Sequence, residues 1–407
     1  MAITVRVGAA NNLRRVLETG MTSFGWHTTD DHFARFSRYT DPRRTFGAYD
    51  GETMVGTAAD LEFRLTVPGG KLTAAGVTLV GVVPSHRRRG VLTSLMRSQL
   101  DDIRARGEPL AILWASEGDI YPRFGYGIAT ACTSIAADRD RARFRNDPGP
   151  SGRVRLVDVE KAIDELGDVY ERVCTVTPGM YERSRVWWEA HTLADPEDDR
   201  EGGSRLFRAV WEDDDGRAQA YAIYRVHEDW DGTPKSRIEV REAMGTNRVA
   251  IREIWRFLFG VDLIAFINAH EQPALSPLFF MVSEPRRLRA RLADGLYVRL
   301  VDLAAALEGR RYQTQGSLVF DVSDEFMPSN AGRWRLTATS SGARVERTTD
   351  EPDLALTVAD LGAAYLGGFS FSELANGGTI VEHTPGALAT TDQMFRSEQP
   401  PWCPENF

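Results

Sequence analysis

A short basic loop carries the residues of this 407-residue chain that are best suited to chemistry. It reads SHRRRG over residues 85–90 and stands directly before a segment whose apolar residues fall at helical spacing. The first amides of a helix have no partner within the helix, and the helix dipole is positive there, so phosphate oxygens can accept their hydrogen bonds. Gly90 allows the backbone to approach closely, and the arginines add positive charge. Residues 88–93 are therefore predicted to hold a pyrophosphate, with a basic surface loop as the alternative.

Two strands and a helix must position this loop. Residues 77–83 are almost wholly apolar, which is typical of a central strand covered on both faces, and Pro84 ends that strand. Residues 91–106 are predicted to form a helix, and residues 110–114 the next buried strand. Asp50-Gly51 predicts a hairpin between strands at residues 44–49 and 53–58, with a further strand at 61–67.

The order hairpin, strand, helix and strand recurs over residues 205–268, which indicates a weak internal duplication. The second copy has Met-Gly-Thr-Asn-Arg at residues 244–248, where the first copy has its basic glycine loop. We therefore expect a single active site per chain.

The loop resembles the acetyl-CoA signature of the GNAT N-acetyltransferases, Arg/Gln-x-x-Gly-x-Gly/Ala. Arg87 and Gly90 take the first two places, whereas Leu92 replaces the final small residue. The resemblance implies that the preceding strand splays away from the next one and that its free backbone groups bind the pantetheine arm of acetyl-CoA. That edge would comprise residues 80–82.

A tyrosine after the second strand is the candidate general acid. In many GNAT enzymes a tyrosine near this place lies close to the thioester sulfur and protonates the departing thiolate. A phenol with a pKa of about 10 can act in this way. Tyr121 and Tyr126 are the candidates, and the alternative for each is a packing aromatic, which is favoured for Tyr126.

Composition limits the classes of protein to consider. The chain has 49 Lys and Arg against 58 Asp and Glu, a net charge of −9, which disfavours a general nucleic-acid binder. Its first residues lack a long apolar stretch after a basic start, so no signal peptide is expected, and no apolar run of about 18 residues occurs, so no membrane span is expected. The three cysteines form no CxxC pair, the histidines show no metal-ligand spacing, and no Gly-x-Ser-x-Gly elbow occurs. We expect a cytoplasmic protein without a metal and a direct acetyl transfer.

Three strings together carry a closer resemblance: HRRRGVLTSLM, SEGDIYPRFGYG and the C-terminal PWCPENF. They are similar to the Eis family of bacterial acetyltransferases, and the similarity covers essentially the whole chain. It implies an α/β (α+β) fold with tandem GNAT domains, the second degenerate, followed by a sterol carrier protein 2-like domain. The predicted domains are residues 1–147, 148–296 and 297–407.

The resemblance also implies partners and residue roles. Family members form homohexamers that transfer the acetyl group of acetyl-CoA to amines, including several amines of one aminoglycoside, or to lysine side chains of proteins. Tyr121 would be the general acid, and Phe407 the general base through its terminal carboxylate. The positions that match cofactor contacts are Val80, Gly81, Val82, Arg88, Arg89, Gly90, Val91, Leu92, Thr93, Ser116 and Glu117.

A terminal carboxylate has a physical rationale as the base. An amine is mostly protonated at pH 7, and a carboxylate can take its proton if burial raises the carboxylate pKa from about 3.5. Without the resemblance, a frayed terminus is the commoner state. A non-enzymatic lipid or acyl-CoA binder is the other functional alternative, which the intact Arg-Arg-Arg-Gly loop disfavours.

Charged and aromatic side chains could line a pocket for a polycationic substrate. For the acidic candidates the alternative is a solvated surface charge, and for the aromatic candidates it is core packing. They are Asp30, Asp31, Glu117, Asp119, Glu405, Phe24, Trp26 and Phe36.

Overall fold

The computed structural model describes residues 3–407. Their contacts group into two compact units. The first unit comprises the chain up to Thr130, residues 295–401 and residues 406–407. The second unit comprises residues 131–294 and 402–405.

The first unit begins with a long antiparallel meander. The predicted hairpin is present, with Gly51 at φ +63° in the turn, where a positive φ favours glycine. The two strands predicted at 53–58 and 61–67 form one continuous strand, because pairing with the next strand runs from Gly56 to Val67 across the predicted gap. The elements are β1 (Thr4–Val7), α1 (Leu13–Ser23), α2 (Asp30–Tyr39), β2 (Thr45–Asp50), β3 (Thr53–Val67), β4 (Gly70–Val82), α3 (Val91–Ala105), β5 (Leu110–Trp114) and β6 (Gly127–Ile128).

The second unit repeats the order of the first. A hairpin, a strand, a helix and a parallel strand follow one another as β9, β10, β11, α6 and β12, and the sheet order is β13-β7-β12-β11-β10-β9-β8. The elements are β7 (Ala131–Asp138), β8 (Arg153–Leu156), α4 (Val159–Cys174), α5 (Arg185–Trp187), β9 (Phe207–Glu212), β10 (Ala218–His227), β11 (Ser236–Gly245), α6 (Arg248–Gly260), β12 (Ile264–Pro273), α7 (Pro277–Met281) and β13 (Arg291–Asp294).

The remainder of the first unit completes one sheet and builds another. Strand β14 inserts between β5 and β6, which gives the order β1-β2-β3-β4-β5-β14-β6. A five-stranded sheet follows in the order β17-β16-β15-β18-β19. The elements are β14 (Leu296–Leu300), α8 (Leu303–Glu308), β15 (Gly316–Ser323), β16 (Gly332–Thr339), β17 (Gly342–Arg347), β18 (Leu354–Thr357), α9 (Val358–Ala364), α10 (Phe371–Asn376), β19 (Val381–Glu382) and α11 (Ala387–Phe395).

Sheet membership changes after residue 130 and again after residue 294. Strand β7 therefore lies in the second sheet, although it precedes the linker-like stretch at residues 147–152. The boundaries predicted at 147 and 296 stay predictions. None of the helices within residues 3–407 combines the length and apolar character that a membrane span needs.

Candidate active site

Strand β4 pairs with β5 only briefly. The parallel register runs from Ala74 opposite Leu110 to Gly76 opposite Ile112, while β4 itself continues to Val82. Leu79 has φ +51°, and the register of β4 with β3 shifts at this point, which is the mark of a β-bulge. Because a bulge bends its strand, the second half of β4 diverges from β5. The predicted splay is present, and residues 80–82 lie on it.

The basic loop ends in an uncapped helix start. Gly90 is the N-cap of α3, with φ +79° and no side-chain hydrogen bond to the helix amides. A Cβ at Gly90 would meet nothing within 4 Å, so this residue lies beside open space. Arg87 holds the loop in place by donating to the carbonyl of Ser23 at 3.1 Å.

A cavity of about 610 Å³, here called the first cavity, joins these features within the first unit. Its lining contains most of the predicted cofactor positions. Arg89 does not belong to this lining, and its guanidinium lies 3.5 Å from the carboxylate of Asp50. The predicted residues in the lining are Val80, Gly81, Val82, Arg88, Gly90, Val91, Leu92, Thr93, Ser116, Glu117 and Tyr121.

The residues of the first cavity fit a pyrophosphate and a pantetheine arm. Uncapped amides, the positive end of the α3 dipole and the side chains of Arg87 and Arg88 meet at one end. The diverging edge of β4 supplies backbone groups along the side. Ser23 and Arg123 also line the cavity, and neither was predicted from the sequence. Arg123 could have been identified, because it lies within the SEGDIYPRFGYG string.

Tyr121 is the phenol of the first cavity. It is only 6% exposed, and its ring packs edge-on against Tyr126 with 5.9 Å between centroids. Burial, with a smaller contribution from the Glu117 carboxylate, raises the pKa of Tyr121 to about 12. The phenol is therefore protonated at neutral pH and can donate that proton. Tyr126 does not belong to the lining of this cavity.

Phe407 lies where β4 and β5 part. Its ring packs edge-on against Phe63, with centroids 5.0 Å apart, and its Cε2 would lie 3.1 Å from a Cβ on Gly76. Gly76 is the last residue of β4 that pairs with β5. Its neighbours Ala75 and Val77 pack in one cluster with Tyr121. Since side chains alternate along a strand, the rings of Phe407 and Tyr121 approach the split from opposite faces of the sheet.

The acidic and aromatic pocket candidates have mixed outcomes. Phe24 and Glu117 line the first cavity, whereas Phe36 is a core residue at 4% exposure. Asp30 and Asp31 form ion pairs with Arg14 and Arg35, at 2.5 and 3.0 Å.

The prediction that Glu405 lines a pocket for a polycationic substrate is wrong. In the second unit its carboxylate lies 3.0 Å from Arg183 and accepts hydrogen bonds from Trp187 Nε1 at 2.8 Å and Thr192 Oγ1 at 2.7 Å. Burial alone would raise the pKa of Glu405, but the Arg183 guanidinium and His191 outweigh it and hold this pKa below its usual range.

The tail segment 402–405 fills a notch within the second unit. The pairing of β11 with β12 ends at Val240 opposite Ala269, so these strands also diverge. Trp402 donates from its indole to the carbonyl of Glu271 on β12 at 2.7 Å and packs with Met244 of β11. In the second unit, residues 402–405 therefore fill the gap between the diverging strands β11 and β12. No local pattern in the sequence signals this contact, because its partners are more than a hundred residues away.

The splayed strand, the uncapped loop before α3 and the buried phenol define the class of protein, an acetyltransferase of the GNAT fold. A family model described as acetyltransferase (GNAT) domain matches residues 4–129, and a second one of the same description matches residues 179–300. A sterol carrier protein domain matches residues 303–404. The GNAT fold implies acetyl-CoA as the co-substrate.

Relatives narrow this class. An uncharacterized N-acetyltransferase of Streptomyces avermitilis is 45% identical over 371 residues, 90% of each chain. The N-acetyltransferase Eis of Mycobacterium tuberculosis is 35% identical over 369 residues, 87% of this chain and 86% of its own. The crystal structure of Eis1 from Mycobacterium abscessus matches with a TM-score of 0.85 at 30% identity over 100% of both chains.

The chain belongs to the Eis family of GNAT N-acetyltransferases. The resemblance stated from the sequence is confirmed. Confirmed as well are the enzyme class and the fold of two GNAT domains followed by a sterol carrier protein-like domain.

Proposed function

We propose that this enzyme acetylates amines of small polycationic molecules, aminoglycosides among them, at more than one position. Tyr121 acts as the general acid and the terminal carboxylate of Phe407 as the general base. The observation that supports this assignment most is the approach of the two residues to one split in the sheet, from opposite faces. An acid on one side and a base on the other is the arrangement that direct transfer between two bound substrates needs.

The proposed step moves one acetyl group and three protons. The Phe407 carboxylate takes a proton from the substrate ammonium, directly or through a water, and the free amine attacks the thioester carbonyl. The bond between carbonyl carbon and sulfur breaks, and the departing thiolate takes the proton of Tyr121. The nitrogen of the new amide then gives up its extra proton, which restores the Tyr121 phenol, and the proton on Phe407 is released to water. The pKa of about 12 for Tyr121 is compatible with this role, because the phenol still holds its proton at neutral pH.

Cofactor contacts are proposed for residues 80–82, 88 and 90–93, and for Ser116 and Glu117. For Arg89 we propose a smaller contribution to cofactor binding, because its guanidinium faces Asp50. We also propose, from the family resemblance alone, that the protein acts in the cytoplasm as a homohexamer. The hexamer can be checked by mass photometry of the purified chain.

The test counts acetyl groups. The native chain is incubated with acetyl-CoA and an aminoglycoside with several amines, and products are weighed by mass spectrometry. We expect two or more added acetyl groups. A chain extended by one glycine after Phe407 converts the carboxylate into an amide and should lose most of its activity, while a chain extended at its N-terminus serves as the matched control.

Acetyl-CoA affinity measured by calorimetry separates the outcomes. Full activity of the C-terminally extended chain would exclude the terminal carboxylate as the base. Acetyl-CoA binding without acetylation of any small amine would exclude the proposed substrates. A lysine peptide assayed in parallel then distinguishes a protein acetyltransferase from a protein that only binds acyl-CoA.

A further inference from the structure

A second cavity, of about 630 Å³, lies in the first unit beside the loop that follows Tyr121. Part of its wall comes from this loop, at residues 122–128, and the rest comes from residues 323–326, 357–363 and 369–379. The cavity is therefore not a tunnel inside the C-terminal domain. Its volume falls in the range of about 300–1,000 Å³ that is usual for small-molecule sites.

Most of the wall of the second cavity is apolar. The side chains that contribute to this surface come from both parts of the unit, and several of them are aromatic or branched. They are Ile128, Phe326, Val358, Ala363, Phe369 and Leu374. A surface of this kind favours an aliphatic or aromatic ligand body.

Charge at the second cavity argues against an anionic ligand. The lining contains one basic residue, Arg123, and three acidic residues, Asp324, Glu325 and Asp360. Only Asp324 is neutralised by the buried Arg299, through a contact of 2.6 Å. A fatty-acid carboxylate would therefore enter a field of its own sign.

We propose that the second cavity binds an uncharged amphipathic molecule, whose hydroxyl group donates to the exposed Glu325 carboxylate of the lining, and that this ligand is coupled to the first cavity. The coupling has a short physical connection. Arg123 lines both cavities. The amide of Tyr126 donates to the carbonyl of Tyr121 at 3.3 Å, and the two rings are in contact.

Binding is tested on the full chain with 1-decanol as the ligand and decanoate as its anionic counterpart, by displacement of Nile red fluorescence. We expect decanol to displace the dye and decanoate to bind at least about tenfold more weakly. Ala359→Trp places a large side chain in the second cavity and should abolish displacement. Ala304→Trp, at an equally half-buried alanine on α8, is the matched control and should behave as the native chain.

Glu325→Gln provides a second variant, because it removes one negative charge from the lining and should reduce the preference for decanol over decanoate about three- to tenfold. Unchanged decanol binding in Ala359→Trp together with an unchanged preference in Glu325→Gln would overturn the site. So would tighter binding of decanoate, or no displacement by decanol from the native chain.

Coupling is tested by acetyl-CoA calorimetry, with and without saturating decanol. We expect at least about a twofold change in the acetyl-CoA dissociation constant for the native chain and none for Ala359→Trp. An unchanged constant in the native chain would overturn the coupling. This readout needs no catalysis, so its failure is distinguishable from a failure of the proposed reaction.

Discussion

Tyr121→Phe removes the proposed acid while keeping the ring. Tyr121 is 6% exposed, and its ring, which packs edge-on against Tyr126, stays in the variant. We therefore expect the variant to fold, with a change in unfolding free energy below about 1 kcal/mol. The matched control is Tyr49→Phe, since Tyr49 is an equally buried tyrosine of the same unit that does not line the first cavity.

The expected loss concerns kcat. General acid catalysis contributes about 10²–10⁴-fold, which corresponds to about 2.7–5.4 kcal/mol of transition-state stabilisation. Because the pKa of Tyr121 is about 12, the native enzyme should show no alkaline loss of kcat from this phenol below about pH 11. Acetyl-CoA affinity should change less than about threefold, since the lost hydroxyl acts on the leaving group.

The assay measures kcat and KM at several pH values, with thiol release as the readout. A Tyr121→Phe variant that retains kcat within about threefold of the native value would refute the acid assignment. A rise in KM with unchanged kcat would show instead that Tyr121 only binds substrate.

Three further predictions concern the two units. Arg88→Ala should raise the acetyl-CoA dissociation constant about tenfold or more in calorimetry, whereas Arg89→Ala should change it about twofold, because Arg88 lines the first cavity and Arg89 does not. Gly76→Ala should lower kcat about ten- to hundredfold, because its methyl group would overlap Phe63 Cε2, would lie 3.1 Å from Phe407 Cε2 and would displace these two packed rings. An unchanged kcat would contradict the placement of the Phe407 ring. Burial and, second, the Glu405 carboxylate raise the pKa of Glu271 in the folded chain from 4.5 to about 7. The contribution of Glu271 to the free energy of unfolding is therefore fully present below pH 4.5 and is lost as the pH rises through 7. Urea unfolding should show up to about 3 kcal/mol of this loss between pH 5 and pH 8 in the native chain and much less in Glu271→Gln.

Local chemistry made several parts of the first unit predictable. The Asp50-Gly51 turn, the apolar strand before Pro84 and the helical spacing after Gly90 each depend on neighbouring residues, and all three elements are present. The duplicated order in the second unit was predictable for the same reason, because periodicity and turns repeat locally.

Long-range pairing decided what sequence reasoning missed. Strand β3 is continuous because it pairs with β4 from Gly56 to Val67, which no pattern within β3 shows. Arg89 leaves the cavity because Asp50 stands beside it. Glu405 was predicted to line a pocket near the terminus, but its carboxylate forms an ion pair with the buried Arg183, more than two hundred residues earlier in the chain.

The class of enzyme, the order of its domains and the loop before α3 were predictable, because they depend on motifs, turns and the spacing of apolar residues. The approach of the Tyr121 and Phe407 rings to one split from opposite faces was not predictable in this way. That arrangement depends on a bulge at Leu79 and on a tail that packs against distant strands. Contacts between residues far apart in the chain are set by the packing of the whole unit, so local sequence patterns do not contain them.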